Sequence, residues 1–242
     1  MDTLRVLDVG CGAGAISAAF ARHGARVTSM DLEVGRVEST VARVRSEHRS
    51  LAGALVGDGC RLPLRPSSFD FIVLMDLIEH VPDPAALLRG VAEAVSPRGW
   101  IYVTVPNRHS LVNVINDPHY NVPAVGILPK RWAEWYVIRL LKLRPVYTLE
   151  QYFALPEARA LIAAAGLEAR LLQDEIKGKI TQGGPPVSPN RTWMWRLSRV
   201  RPVQRLLLRS LDTALFLRLV QPAWSFLCRR AHWQQDLHRT RS

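Results

Sequence analysis

Along the first hundred residues, short and almost wholly apolar runs alternate with longer stretches in which apolar positions recur every three or four residues. Leu4 to Val9, Arg26 to Met30, Ala54 to Val56, Phe69 to Met75 and Trp100 to Val105 are the runs. They read as strands covered on both faces. Ile16 to His23, Arg36 to Glu47 and Pro84 to Val95 carry the helical period between them, the second with an arginine-rich exposed face and the third with proline in its first turn. Regular alternation of strand and helix predicts an α/β fold, a doubly wound and mostly parallel sheet with helices on both faces.

Past Pro106 the rhythm breaks. It returns at Leu155 to Ala165, a helix closed by Gly166, and at Leu167 to Leu172 and Ala223 to Arg230, which bring the expected strands to seven. The chain is then one domain over 1–242, with a ligand-binding half at 1–106 and an insertion at 107–148. A helix and strand follow at 149–177, a basic amphipathic helical insertion at 178–222, and a last strand and tail at 223–242. The first insertion holds four prolines and the aromatic group Tyr120, Trp132, Trp135 and Tyr136, so it reads as a partly helical lid. Its rings either wall a pocket or form the lid's own core.

The second insertion changes the picture through charge. Residues 1–105 carry 11 Lys and Arg against 12 Asp and Glu, whereas 106–242 carry 21 against 9. From residue 181 onward, 11 arginines face two acids. Such asymmetry suits an anionic partner surface. Within 191–221 the arginines are interleaved with Trp and Leu, and in a helix from Val203 only Arg205, Arg209 and Asp212 share a polar stripe. That pattern suits a helix lying in an anionic membrane surface, or one packed over the core or against a second copy of the chain. The charges are too frequent for a spanning segment. Nucleic acid is disfavoured, since no RNA-binding motif or lysine-rich arm accompanies the arginines. The three cysteines match no metal spacing and no disulfide framework, and the start shows no secretory pattern. A cytoplasmic protein, peripheral on the inner face of the membrane, is the expectation.

The candidate chemistry begins at 8–14, D-V-G-C-G-A-G, where a strand runs into glycines at every second position. A bare turn between strand and helix lets backbone amides approach a ligand at the carboxyl edge of the sheet. Dinucleotide sites use a different spacing, G-x-G-x-x-G, and the acid Asp8 inside the strand disfavours an anionic ligand. A cationic one fits better.

This motif resembles the first motif of the class I S-adenosylmethionine-dependent methyltransferases, acid-x-G-x-G-x-G. The resemblance extends through Asp31 at the end of the second strand, G-D-G-C-R-L-P-L at 57–64, and F-D-F-I-V-L-M-D-L-I-E-H-V-P-D-P at 69–84. Those motifs cover residues 4–106 and most resemble the ubiquinone-biosynthesis O-methyltransferase-like branch with its E-H-V-x-D-P. The resemblance implies a Rossmann-like fold and S-adenosyl-L-methionine as cofactor, held by Asp8, Gly10, Cys11, Gly12, Gly14, Asp31, Leu32, Asp58, Gly59 and Asp76. Asp31 would meet the ribose hydroxyls and Asp58 the adenine amino group. Members of the family usually carry some tens of residues ahead of the first motif. Their absence implies either a truncated start or closure of the site by the insertions.

Methyl transfer is an in-line displacement in which the protein aligns the reacting groups and excludes water. An oxygen acceptor also needs a base, and histidine titrates in the right range. His80 and His119 are the catalytic candidates, with His109 also near the sheet's carboxyl edge. No metal is required, although Asp76, Glu79 and His80 make an adequate donor set for a divalent cation that would orient a phenolate. The expected function is methyl transfer to a small or lipid-like acceptor, most readily at oxygen. A non-catalytic cofactor-binding scaffold and an RNA methyltransferase are the alternatives.

Overall fold

The computed structural model describes residues 3–172 and 221–231. Seven strands form one sheet: β1 (Arg5–Val9), β2 (Arg26–Asp31), β3 (Gly53–Val56), β4 (Phe69–Leu74), β5 (Val95–Pro106), β6 (Leu167–Leu171) and β7 (Ala223–Arg230). Their spatial order is β3-β2-β1-β4-β5-β7-β6. All neighbours pair in parallel except β7, which runs antiparallel to both β5 and β6. The doubly wound, mostly parallel sheet expected from the alternation is therefore present.

The faces are sorted by the two-residue period of each strand. On β1, Val6 points into a cluster with Val27, Ala18 of α1 (Ala15–Arg22) and Val44 of α2 (Val34–Ser46). Its neighbours Leu7 and Val9 point the other way. They join a larger cluster with Ile72, Leu87 and Leu88 of α3 (Pro84–Ala94), Ile162 of the later helix Leu155–Ala164, and Trp224 and Phe226 of β7. Helix α3 starts where the sequence puts it because Asp83 caps it, its Oδ1 accepting the Ala86 N–H at 2.8 Å, with Pro84 next in line. One element is longer than expected. Strand β5 begins at Val95, paired with Phe69, and the register slips so that Trp100 pairs with Phe71. The Pro97-Arg98-Gly99 turn is a bulge inside the strand, with Gly99 against the Asp70 carbonyl: a Cβ there would stand 2.9 Å from it.

Between β5 and the last helix, residues 107–154 form α4 (Leu111–Ile115), a 3₁₀ turn at Val125–Ile127, α5 (Lys130–Glu134) and a π-helical turn at Trp135–Leu140. The helix Leu155–Ala164 is then α6. The inserted elements have their own small core of Tyr120, Val125, Ala133, Val137, Leu149 and Tyr152. The aromatic group divides accordingly: Tyr120 is buried there with Tyr136 packed against it, whereas Trp132 and Trp135 are 63% and 49% exposed. The arginine-rich stretch 191–221 lies outside the described residues except at Gln221. Among the described residues no helix is long and apolar enough to cross a membrane.

Candidate active site

Most of what sets up the site lies at the carboxyl ends of β1 to β4, where loops leave a parallel sheet. After Val9 the chain turns through Gly10, Gly12 and Gly14 at φ of 73°, 53° and 77°, a region that favours glycine. A Cβ on Gly14 would sit 2.7 Å from the Thr40 Cα, so its bareness also lets α2 close on the turn. The turn is stitched to β2: Gly10 and Cys11 both donate to the Met30 carbonyl, at 2.8 and 3.0 Å.

Asp31 ends β2, with its oxygens accepting the Gly12 N–H at 3.0 Å and the Glu33 N–H at 3.1 Å. Each oxygen keeps a lone pair, and the residue lines the cleft. Asp58 caps the short turn Gly59–Arg61 through the Cys60 N–H, 2.8 Å away. Asp76 follows β4 in the left-handed region, at φ 50°. Thr104 of β5 holds it there, accepting its N–H at 2.7 Å and donating to its carboxylate at 3.1 Å. Burial, helped by Glu79, raises the Asp76 pKa.

These loops enclose a cleft of about 450 Å³, a volume suited to a nucleoside-sized ligand. Five carboxylates line it, on Asp31, Glu33, Asp58, Asp76 and Glu150, against the cation of Arg36. An anionic ligand would meet repulsion there, whereas a cationic one with sugar hydroxyls would find acceptors.

Of the residues expected to hold the cofactor, Gly10, Asp31, Leu32, Asp58, Gly59 and Asp76 line the cleft. Gly12 and Gly14 shape the turn without lining it. Cys11 faces α2 instead, receiving the Thr40 hydroxyl at 3.3 Å, and burial pushes its thiol up to about 11. Asp8 lies one layer down, 2% exposed, with Ser17 of α1 donating to it at 2.5 Å and Ser17 in turn 2.7 Å from Ser29. Its burial raises its pKa. The acid of the first motif thus braces β1 to α1 and β2 rather than facing the cleft.

At the acceptor end stands His80, on the loop after β4 and in the cleft wall. Its Nδ1 is 2.9 Å from the Thr148 carbonyl, which can only accept. The proton is therefore on Nδ1, and in the neutral ring Nε2 is left with a lone pair. The segment supplying that carbonyl lines the cleft too, tied down by the Glu150 N–H to the Glu79 carbonyl at 2.8 Å. Lys130 of α5 pairs with the Glu150 carboxylate. His119 packs edge-on to His80, ring centroids 4.9 Å apart, but does not line the cleft; neither does His109. Burial lowers the His119 pKa, yet the Asp117 and Glu79 carboxylates, each with an oxygen 3.7 Å from a ring nitrogen, outweigh it and hold the ring at about 9.

Three donors converge here: one atom each of Glu79, His80 and His119 lie within 4.8 Å of one another. This differs from the donor set read from the sequence, because Asp76 is occupied with Thr104 and His119 stands in its place. Glu79 is 2% exposed, and its Oε2 has no hydrogen-bond partner among the described residues. Glu33, Arg36, Thr148 and Glu150 were not foreseen. The first two follow Asp31 with no motif of their own, and the last two sit 68 or more residues from His80, too far for spacing to reveal.

A methyltransferase-domain family profile matches residues 2–172. The chain is 36% identical over 118 residues to the ubiquinone biosynthesis O-methyltransferase of Leptothrix cholodnii, covering 45% of this chain and 47% of that one. It is 32% identical over 183 residues to the protein of the same name from Bordetella avium, covering 74% and 68%. The chain thus spans about half the length of the first relative and about two-thirds of the second. Among solved structures, a Mesorhizobium loti S-adenosylmethionine-dependent methyltransferase superposes with TM-score 0.57 at 18% identity, over 94% of this chain and 91% of that one. Haemonchus contortus phosphoethanolamine N-methyltransferase 2, solved with S-adenosylhomocysteine, gives 0.56 at 20%, over 95% and 49%. At those identities the likeness is one of fold.

Proposed function

The chain belongs to the S-adenosylmethionine-dependent methyltransferases, and from that premise we propose that it methylates an oxygen of a small or lipid-like acceptor. The observation that carries the reading is the acid-lined cleft ending at a histidine whose proton is placed by a backbone carbonyl. When bound, the cofactor supplies a methyl group on a positively charged sulfur. The residues present fit it. Asp31 has free lone pairs for ribose hydroxyls, Asp58 and Gly59 line the wall beyond β3, and the surplus of carboxylates suits the sulfonium.

His80 takes the acceptor's proton through Nε2, because Thr148 keeps Nδ1 protonated. His119 serves this role less well, since its raised pKa keeps it charged at neutral pH. Thr148 and Glu150 complete the cleft wall beside His80. Oxygen as the acceptor atom is supported by the relatives named for O-methylation. A second reading is favoured by the convergence of Glu79, His80 and His119 and by the unpartnered Glu79 Oε2: a divalent cation held there would orient the acceptor oxygen.

The test is transfer of radiolabelled methyl from S-adenosylmethionine to a panel of phenols, catechols and amines in detergent, with and without a chelator. Turnover on hydroxyl acceptors that falls at least a hundredfold in His80→Gln supports the base reading. Chelator-sensitive turnover moves the role to a cation, and cofactor binding with no product from any acceptor supports a scaffold. A peripheral seat on an anionic membrane belongs to the same proposal, supported by the arginine and tryptophan pattern of 191–221. Removing those residues should abolish sedimentation with anionic liposomes, and a full chain that ignores such liposomes at low salt ends the idea.

A further inference from the structure

A chain of polar groups runs from the core of the inserted segment to the acceptor end of the cleft. Asp117 is completely buried, and Tyr152 and Glu79 are 3% and 2% exposed. Asp117 Oδ1 accepts the backbone N–H groups of His119 and Tyr120 at 2.9 and 3.1 Å, closing the turn at D-P-H-Y. Its Oδ2 accepts the Tyr152 hydroxyl at 2.6 Å. Asp117 thus accepts three hydrogen bonds and donates none.

A phenol has one proton. With that proton given to Asp117, its oxygen can only accept from His119 Nδ1, 2.9 Å away. The direct contact from Nδ1 to Asp117 is 3.7 Å, too long for a hydrogen bond, so the carboxylate acts on the ring through the tyrosine. On the far side Nε2 faces Glu79 Oε1 at 3.7 Å, with the ring edge-on to His80.

We propose that Asp117 and Tyr152 are positioning residues: a carboxylate–phenol relay that holds a proton on His119 Nδ1 in the charged and the neutral ring alike and turns Nε2 toward Glu79 and the flank of His80. The consequence for catalysis rests on the methyltransferase reading; the place of the proton rests on geometry alone. The relay has a built-in polarity that a single atom reverses. In Asp117→Asn the two backbone N–H groups still need an oxygen at δ1, which puts the amide nitrogen at δ2. That NH₂ donates to the phenol oxygen, the phenol turns its own proton to Nδ1, and the proton of the neutral imidazole moves to Nε2. The logic is that of a triad aspartate setting a histidine tautomer, with a tyrosine interposed.

The experiment is nitrogen-15 NMR of the full chain with labelled histidine, His80 serving as internal standard because Thr148 holds its Nδ1 proton independently. In the wild-type protein the His119 Nδ1–H should be visible and protected from solvent exchange. Tyr152→Phe should speed that exchange at least tenfold without changing His80. At pH 10, where the wild-type ring has lost its second proton, Asp117→Asn should swap the two nitrogen shifts of the neutral His119 ring, and this variant decides alone if Tyr152→Phe fails to fold. An unprotected His119 Nδ1–H in the wild type, equal protection in Tyr152→Phe, or no swap in Asp117→Asn overturns the proposal. Calorimetry of the same samples with S-adenosylmethionine separates the two claims. Failure of the wild-type protein to bind it would remove the family reading of the cleft and leave the tautomer result standing.

Discussion

Raising the pH should weaken the fold through His119 in a way that can be sized from its surroundings. The ring would titrate near 6.5 when free and is held at about 9 in the folded chain by Asp117 and Glu79. A folded-state pKa above the unfolded one means the native protein binds the proton more tightly. The stabilisation is therefore complete below about 6.5 and is lost as the pH rises through about 9. At about 1.4 kcal/mol per unit the gap corresponds to roughly 3 kcal/mol, and the ring's partial exposure brings it to about 2 to 3 kcal/mol. The assay is urea unfolding of wild type and His119→Gln at pH 6 and pH 10, with a chelator present. Tyrosines and lysines that titrate in both proteins cancel in the difference. The wild-type advantage should shrink by about 2 to 3 kcal/mol between the two pH values. A difference that stays constant, or grows toward pH 10, would mean that His119 is neutral between its carboxylates.

Asp31→Ala should weaken S-adenosylhomocysteine binding by about 1 to 3 kcal/mol, read calorimetrically, because a charged acceptor for hydroxyls is lost. Unchanged affinity would take Asp31 out of the site. Gly14→Ala should lower stability by about 1 to 3 kcal/mol in urea, since its φ of 77° and the 2.7 Å approach of Thr40 both resist a side chain. Ser17→Ala should cost about 1 to 3 kcal/mol of stability, leaving Asp8 buried without its donor, while cofactor affinity stays the same. A loss of affinity without a loss of stability would put Asp8 back in the cleft.

The core half of the fold was legible because a parallel sheet covered on both faces writes itself as apolar runs, and the loops after its strands carry glycine and acids by necessity. Even β7 kept its expected bounds, Ala223–Arg230, with Trp224, Phe226 and Cys228 alternating inward. What alternation could not show was direction. Nothing in A-W-S-F-L-C-R-R says that it lies antiparallel between β5 and β6. On the cofactor side, six of the ten residues read from the sequence line the cleft, and Asp8, Cys11, Gly12 and Gly14 do not. Asp8 sits in a motif, but its strand position points it at Ser17 on α1, away from the loops. The acceptor side was least legible. His119 was a candidate on the sequence, whereas the partner that places its proton, Tyr152, lies 33 residues on in a stretch with no motif. Thr148 acts through its carbonyl, which no side-chain pattern can advertise. Long-range contacts built from insertions depend on how the insertion folds back, and single-sequence periodicity does not contain that.

The central claim is that the acid-lined cleft above β1 to β4 holds a sulfonium cofactor. Isothermal titration of the purified chain with S-adenosylmethionine and then S-adenosylhomocysteine tests it directly. The account predicts one molecule of either bound per chain, in competition with each other, with micromolar affinity that falls in Asp31→Ala. Absence of binding by both, at protein concentrations well above that affinity, would contradict it.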